Sequence, residues 1–472
     1  MKKEITSNEA FDNNIAEFTE TKRSSFTGKI GFVLAASGSA VGLGNLWRFP
    51  YLVAQYGGGI FVLSYVLLAV FFGLTMLMLE IGIGRHTGKS VIGAFSTLNK
   101  KFKWFGYICV IVPLIIVPYY CVIGGWVVKY AWSFIIGADN LVGATVTPEQ
   151  TDAFFKVFRT ATWQPLLFFL IFALMTVVIV VFGVQKGIEK VSKILMPTLA
   201  IMAIFLMIYV LCQPGALEGV KYVMLPNFNE FGFETVLGAL GQLFYSMSIG
   251  MCIMITYGSY MKKDVSIKSS ATQIAIFDSL FAFIASLVII PAVYAFASNP
   301  GDVLSQQGPS LMFVQLTNVF NQLPGGQVIG IIFFVLVLFA AVTSSVSLVE
   351  SIVAVLCEDN RMKRLTACCI VFGAILILGA LSSLGNGHLA FIHIGEKGIL
   401  DMFDFLANNI LMPIIAIITC VIAGWFIDKN ILPKEIGIDK SKWMTTYFNV
   451  IVKYVAPLCI LAILLSGLFV KI

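Results

Sequence analysis

Glycines, an amide and a guanidinium interrupt an apolar segment of membrane-spanning length between Gly38 and Pro50, and these groups could bind a ligand. Backbone that leaves the helix within hydrocarbon must be buried in protein or face a water-filled cavity. Gly38 and Gly42 have the spacing of a helix-packing motif, but packing requires neither Asn45 nor Arg48. Because ionisable groups inside a membrane mark functional sites by default, we interpret this break as a candidate binding site.

A second run of small and polar residues, from Gly241 to Met251, lies near the midpoint of another apolar segment. Two interrupted segments at matching positions in two halves of a chain are typical of secondary transporters, whose discontinuous helices meet at the membrane midplane. The two breaks are therefore expected to form one site.

The composition indicates that the segments containing these breaks lie in a membrane. Hydrophobic residues make up 58% of the 472 residues and charged residues only 12%, which is typical of a polytopic membrane protein. Stretches of about 20 apolar residues predict an all-α membrane protein with eleven transmembrane helices. The predicted spans are 28–53, 59–84, 104–137, 163–183, 189–212, 234–261, 270–298, 326–357, 365–384, 399–427 and 444–470.

Lysine and arginine are concentrated in the loops on one side of these spans, which predicts a cytoplasmic N-terminus and, after eleven spans, an extracytoplasmic C-terminus. Residues 1–25 are polar and have no signal-peptide core, so we expect a disordered cytoplasmic tail. The basic rim accounts for the net charge of +6, and no basic stripe indicates nucleic acid.

Enzymatic chemistry has little support in the sequence. The nine cysteines lie mostly within spans without metal-ligand spacing, and the three histidines form no nucleophile–base pattern. We therefore expect a protein that is not an enzyme.

The positions of the breaks also predict the domain organisation. Spans one to five (26–212) and six to ten (234–427) would be two five-helix repeats, inverted because five is odd, with discontinuous helices 1 and 6. The span at 444–470 would be one extra helix.

The stretch from Gly38 to Pro50, followed by Gly57-Gly58-Gly59, resembles the first-helix signature of the neurotransmitter:sodium symporter family. Further similarities are Tyr119-Tyr120, Gln242 to Gly250, Thr343-Ser344-Ser345 and Asp401 to Phe405. The resemblance covers residues 23 to about 425 and implies a multi-pass transporter of the bacterial inner membrane that imports an amino acid with sodium.

The resemblance implies two sodium sites. The first would use Ala40, Asn45, Ser246, Asp278 and the substrate carboxylate, and the second would use Gly38, Val41, Ala340, Thr343 and Ser344. Oxygen ligands suit a hard cation, and an unwound helix exposes carbonyls. Thr343 and Ser344 are also compatible with simple hydrogen bonding to their own helix.

The resemblance also implies a substrate site, formed by backbone groups at the breaks and by mainly apolar side chains. Its residues would be Ser39, Ala40, Leu43, Gly44, Ile116, Tyr120, Tyr245, Ser246, Ser248, Met251 and Leu348. Gly42 stands where monoamine carriers of the family have an aspartate. We therefore expect a neutral, hydrophobic L-amino acid, leucine-like or aromatic, that brings its own carboxylate.

Chloride is not expected to be required. Tyr65, Gln242 and Ser246 match the residues around the family's chloride site, but Ala282 stands where bacterial relatives have an acid. We expect Asp278 to supply the negative charge, and to take up a proton when the transporter returns to its outward-facing state without substrate.

Charged residues on either side of the site resemble the family's gates: Arg48 with Asp404 outside, and Arg23 with Glu358 inside. The expected mechanism is alternating access, with the amino acid and the bilayer as partners and homodimer formation left open. A carrier for another small zwitterion, a chloride-dependent carrier, an ion channel and an amino-acid sensor are the alternatives.

Overall fold

The computed structural model describes residues 24–137, 141–143, 145–297, 299–305, 308–395 and 397–469, and in these ranges the regular elements are helices. We number the helices in chain order. They are α1 Lys29–Ala40, α2 Gly44–Gln55, α3 Gly59–Thr87, α4 Val91–Leu98, α5 Lys100–Ile136, α6 Pro148–Thr160, α7 Trp163–Val181, α8 Val184–Leu211, α9 Ala216–Met224, α10 Phe233–Ser246, α11 Ile253–Ser259, α12 Ile267–Phe296, α13 Pro300–Leu304, α14 311–322, α15 Gly326–Asp359, α16 Arg364–Leu384, α17 Ile399–Phe426, α18 Ile431–Ile436 and α19 Lys442–Leu468.

The all-α membrane architecture is confirmed. Nine helices among the described residues are long and apolar enough to cross a membrane, and the bent pair α1–α2 makes a tenth span. The remaining expected span, 234–261, corresponds to α10 and α11, which are too short and too widely separated to count as one span. The count of eleven therefore stays a prediction, as does the disordered tail, of which residues 1–23 lie outside the described ranges.

The first helix breaks where the glycine-rich sequence predicts it. Val41 ends α1 in an extended conformation with ψ of 100°, and α2 starts at Gly44 after a bend of 55°. The new helix has its own first turn, whose N–H groups have no acceptor within the helix. The break therefore presents both carbonyls and amides at one depth.

The second break needs unusual backbone. Between α10 and α11, the backbone φ angles are 55° at Ser248, 78° at Gly250 and 64° at Cys252. These values lie in the left-handed region, which residues other than glycine rarely adopt. The buried Glu80 of α3 stabilises this segment, because its Oε1 accepts a 2.8 Å hydrogen bond from the Gly250 N–H. Glu80 thus satisfies a backbone N–H group that the unwound segment leaves without a helical partner.

Close packing fixes the turn between α2 and α3. Gly58 has φ of 63° and lies opposite Pro226 in a single bridge. A Cβ atom at Gly58 would be 2.2 Å from the Tyr222 carbonyl oxygen, so only glycine fits here. The glycine run of the family signature therefore holds the segment after α9 against the end of the first span.

Helix α1 packs against α8, α12 and α15, and α15 also packs along α5. The break after α1 is therefore enclosed by long helices on several sides. The unwound segment after α10 meets it there, and the two breaks share one buried region near the middle of the molecule.

Candidate functional site

A cavity of about 370 Å³, part of which is open to solvent, lies between the two breaks. The cavity is lined by every residue that the family resemblance implied for the substrate site. These are Ser39, Ala40, Leu43, Gly44, Ile116, Tyr120, Tyr245, Ser246, Ser248, Met251 and Leu348. The other lining residues are Gly42, Asn45, Ile253 and Ser344, of which Ile253 was missed in the sequence.

The cavity lining carries no charged side chain. The hydroxyl of Tyr120 lies beside Ser344 and the Leu43 backbone, yet it makes no hydrogen bond of ordinary geometry. Because a buried hydroxyl without a partner is costly, this group is available to a polar ligand atom.

Gly42 leaves room at the centre of the cavity. A Cβ atom there would be 2.7 Å from the Ser344 Oγ and 3.3 Å from the Tyr120 hydroxyl oxygen. Any larger side chain at position 42 would therefore occupy space next to the unpaired hydroxyl.

The oxygens expected to form the second sodium site cluster between α1 and α15. The Ser344 hydroxyl lies 3.2 Å from the Gly38 carbonyl oxygen and 3.3 Å from that of Val41. The Thr343 hydroxyl donates to the Ala340 carbonyl at 3.0 Å. The structure thus combines both readings of these hydroxyls: Thr343 bonds to its own helix, whereas Ser344 reaches across to the break.

Asp278 is completely buried and is the acceptor of a dense hydrogen-bond cluster. Its Oδ1 accepts from the Ser246 hydroxyl at 2.6 Å and from the Asn45 Nδ2 at 2.8 Å, and its Oδ2 accepts from the Tyr65 hydroxyl at 2.8 Å. A buried carboxylate requires such donors or a cation. No Lys, Arg or His lies within 4.0 Å of it in the described part of the chain.

The orientation of the Asn45 amide differs from the one a sodium ion needs. Its Oδ1 accepts from the Gly42 N–H at 3.2 Å, and its Nδ2 faces Ser246 and Asp278. A half-turn of the amide would direct the oxygen toward these two residues. The expected ligands of the first sodium site are therefore together, with one amide turned away.

The residues matched to a chloride site divide into two groups. Tyr65 and Ser246 both donate to Asp278, whereas the Gln242 Nε2 donates to the Gly44 carbonyl at 3.2 Å. Two of the three residues matched to a chloride site thus already donate to a carboxylate.

The expected outer ion pair is not formed in this structure. The Arg48 guanidinium carbon lies 5.5 Å from the centre of the Tyr245 ring, and the Asp404 Oδ1 accepts from the Asn408 side chain at 2.7 Å. No nitrogen–oxygen contact within 4.0 Å joins Arg48 to Asp404.

On the side of the expected inner gate, the structure contains an ion pair that sequence reasoning missed. Arg23 lies outside the described residues, and Glu358 accepts a 2.6 Å hydrogen bond from the Ser90 N–H. Nearby, Arg364 forms an ion pair with the fully buried Glu350, which also accepts from the Tyr260 hydroxyl at 2.8 Å. An acid within span eight, Glu350, was the signal that could have found this pair.

Comparisons with known proteins agree with this architecture. The sequence profile of the sodium:neurotransmitter symporter family matches residues 23–139 and 158–471. An uncharacterized sodium-dependent transporter of Bacillus subtilis (strain 168) is 35% identical over 452 residues, covering 95% of this chain and 98% of that protein. The sodium-dependent serotonin transporter of Drosophila melanogaster is 24% identical over 420 residues, covering 80% of this chain and 67% of that protein.

A solved structure shows the same fold. The crystal structure of MhsT in complex with L-phenylalanine matches with a TM-score of 0.84 and 34% identity, covering 94% of this chain and 100% of that one. The chain belongs to the sodium:neurotransmitter symporter family and is a sodium-dependent, multi-pass membrane transporter rather than an enzyme.

Proposed function

We propose that this transporter imports a neutral, hydrophobic L-amino acid together with sodium. The observation that carries this proposal is the uncharged, mainly apolar cavity between two helix breaks, with Gly42 where an amine-binding acid would stand. The 34% identical MhsT, whose structure contains L-phenylalanine, supports an aromatic or leucine-like substrate.

In this proposal the substrate carboxylate binds at the start of α2. The N–H groups of Leu43 and Gly44 lie at the positive end of that half-helix, which favours an anion. The unpaired Tyr120 hydroxyl is the third donor. The ammonium group binds carbonyls of the unwound segments, including those of Ala40, Tyr245 and Ser248.

Two sodium ions accompany the substrate in this account. One replaces the contacts of the Ser344 hydroxyl with Gly38 and Val41, and Thr343 and Ala340 complete its ligands. The other lies near Ala40, Asn45, Ser246 and Asp278, where the substrate carboxylate is the last ligand. The Asn45 amide must turn to bind it, which links sodium binding to the backbone at Gly42.

Asp278 makes chloride unnecessary in this proposal. Two sodium ions and a zwitterion bring a charge of about +2 into a site of low dielectric constant, where a buried anion offsets the cost. The three hydrogen bonds to Asp278 stabilise its charged form before sodium arrives. Proton uptake by the same carboxylate would neutralise it on the empty return.

The transport cycle we propose is alternating access. Closure outside would bring Arg48 and Asp404 together, and spans one, two, six and seven would then rock as a bundle against the other spans. The two inverted repeats at 26–212 and 234–427 supply this symmetry. The lysine-rich loops favour a cytoplasmic N-terminus and an extracytoplasmic C-terminus in a bacterial inner membrane.

The test is uptake by proteoliposomes with an imposed inward sodium gradient. L-phenylalanine and L-leucine are expected to accumulate above the external concentration, and replacing external sodium with choline should abolish accumulation. Currents that pass sodium without an amino acid would indicate a channel, and binding without uptake would indicate a sensor. Homodimer formation is tested separately by light scattering of the purified protein.

A further inference from the structure

An aromatic and basic surface lies where the end of α17 meets the middle of α19. The Lys453 Nζ lies 4.3 Å from the centre of the Trp425 ring and 5.5 Å from that of Tyr454. The two rings meet edge to face at 5.8 Å. We call these three residues the aromatic–lysine platform.

Two local features hold the platform together. A Cβ atom at Gly424 would be 3.0 Å from the Lys453 Cα, so a glycine allows the two helices to approach this closely. Both helices widen into π-helical turns here, at 422–426 and 451–455, where the α-helical hydrogen-bond pattern is interrupted. The Trp425 indole N–H donates to the Lys453 carbonyl at 3.4 Å. The indole is therefore fixed beneath the ammonium group.

The platform faces outward at the end of a membrane-spanning helix. Trp425 is 56% exposed and Tyr454 is 50% exposed, and α17 ends at Phe426, one residue after the indole. Tryptophan and tyrosine prefer this depth, where the headgroups meet the hydrocarbon.

The positive charge of the platform is not neutralised by the protein. No carboxylate lies within 4.0 Å of the Lys453 Nζ among the residues that the structure describes. Asn449 lies one turn before Lys453 on the same face of α19, and its side chain donates to the Lys429 carbonyl at 3.3 Å. The backbone of a second lysine, Lys429, therefore lies beside the platform. The neighbouring Asp428 accepts from the Asn430 N–H at 2.9 Å and caps the turn before α18.

We propose that the aromatic–lysine platform binds the phosphate headgroup of an anionic phospholipid. A lysine between two helices on the basic side of a membrane protein recognises such headgroups, and one lysine near the surface strengthens the attraction by a factor of about five. The rings contact the glycerol region and upper acyl chains, while Lys453 and Lys429 face the phosphate. This inference does not depend on which amino acid is transported.

The test is native mass spectrometry of the purified full-length protein with phosphatidylglycerol and, separately, phosphatidylcholine of the same acyl chains. Wild type is expected to retain one phosphatidylglycerol in preference to phosphatidylcholine, and Lys453→Gln should bind it about fivefold more weakly. Lys453→Arg should keep the preference, because the charge and the ring contacts remain. Lys440→Gln, which removes an exposed lysine of the same basic side, is the matched control and should behave as wild type.

Equal phosphatidylglycerol binding by wild type and Lys453→Gln would overturn the proposal, as would equal binding of the two lipids by wild type. Displacement of the lipid by millimolar glycerol phosphate would show a site for a free anion and would also overturn it. Trp425→Leu, a second variant that keeps the lysine, should weaken retention of the lipid. Unchanged elution volume and sodium-dependent stabilisation show that each variant is folded.

Discussion

Replacing Ser344 with alanine tests the second sodium site most sharply. Its hydroxyl lies 3.2 Å from the Gly38 carbonyl oxygen and 3.3 Å from the Val41 carbonyl oxygen, so the same oxygen can coordinate an ion held by those carbonyls. A contact of a polar group with a charge contributes about 1.5–3 kcal/mol, which corresponds to an increase of at least about tenfold in the sodium dissociation constant.

Thermal unfolding of the purified protein during a sodium titration measures this effect. At a sodium concentration of about ten dissociation constants, wild type gains about 1.4 kcal/mol of stability, and a tenfold weaker site gains only about 0.4 kcal/mol. Ser351→Ala is the matched control on the same helix, because in the described part of the chain its hydroxyl bonds only to the Leu348 carbonyl, at 2.7 Å. Identical sodium curves for Ser344→Ala and Ser351→Ala would refute the assignment of this site.

Three further variants test other parts of the account. Gly42→Ala places a Cβ atom 2.7 Å from the Ser344 Oγ. In a radioligand assay it should weaken amino-acid binding at least about tenfold, because the Cβ atom clashes and takes space from the substrate carboxylate. The control Gly241→Ala, which has open space around its Cβ atom, should bind the amino acid normally. Asp278→Asn removes the buried charge and should make sodium-dependent uptake require chloride; uptake that stays equal in chloride and gluconate would contradict this role. For Glu435, partial burial raises the pKa, but hydrogen bonds from Lys263 and Arg85 outweigh it and the net pKa is lowered from 4.5. Its stabilisation is thus complete above about pH 4.5 and is lost as the pH falls through the lower folded pKa, so thermal unfolding of Glu435→Gln should depend less on pH there than that of wild type.

The sequence predicted the helix breaks because their causes are local. Glycines and polar residues inside an apolar segment interrupt a helix whatever surrounds it, and the two helices end within the predicted runs Gly38 to Pro50 and Gly241 to Met251. The cavity-lining residues from five separate helices were predicted through the family resemblance, since nothing in the spacing of Ile116 or Leu348 distinguishes them from ordinary packing residues.

Other features depend on long-range geometry and were beyond sequence reasoning. The direction of the Asn45 amide follows from Asp278, which is 233 residues away. The ion pair between Glu350 and Arg364 requires the approach of two helices that no local pattern fixes. In the proposed cycle, the separation of Arg48 from Asp404 depends on how far the outer side is closed, which no local sequence pattern determines.

Linkage between sodium and L-phenylalanine binding tests the central claim most directly, because the claim is that the substrate carboxylate completes a sodium site. We predict that the affinity of the purified protein for labelled L-phenylalanine rises steeply with sodium, and that L-phenylalanine raises sodium affinity by the same factor. Phenethylamine, which lacks the carboxylate, should neither compete nor show sodium dependence. L-phenylalanine binding of equal affinity in sodium and in choline, or equal competition by phenethylamine, would contradict the account.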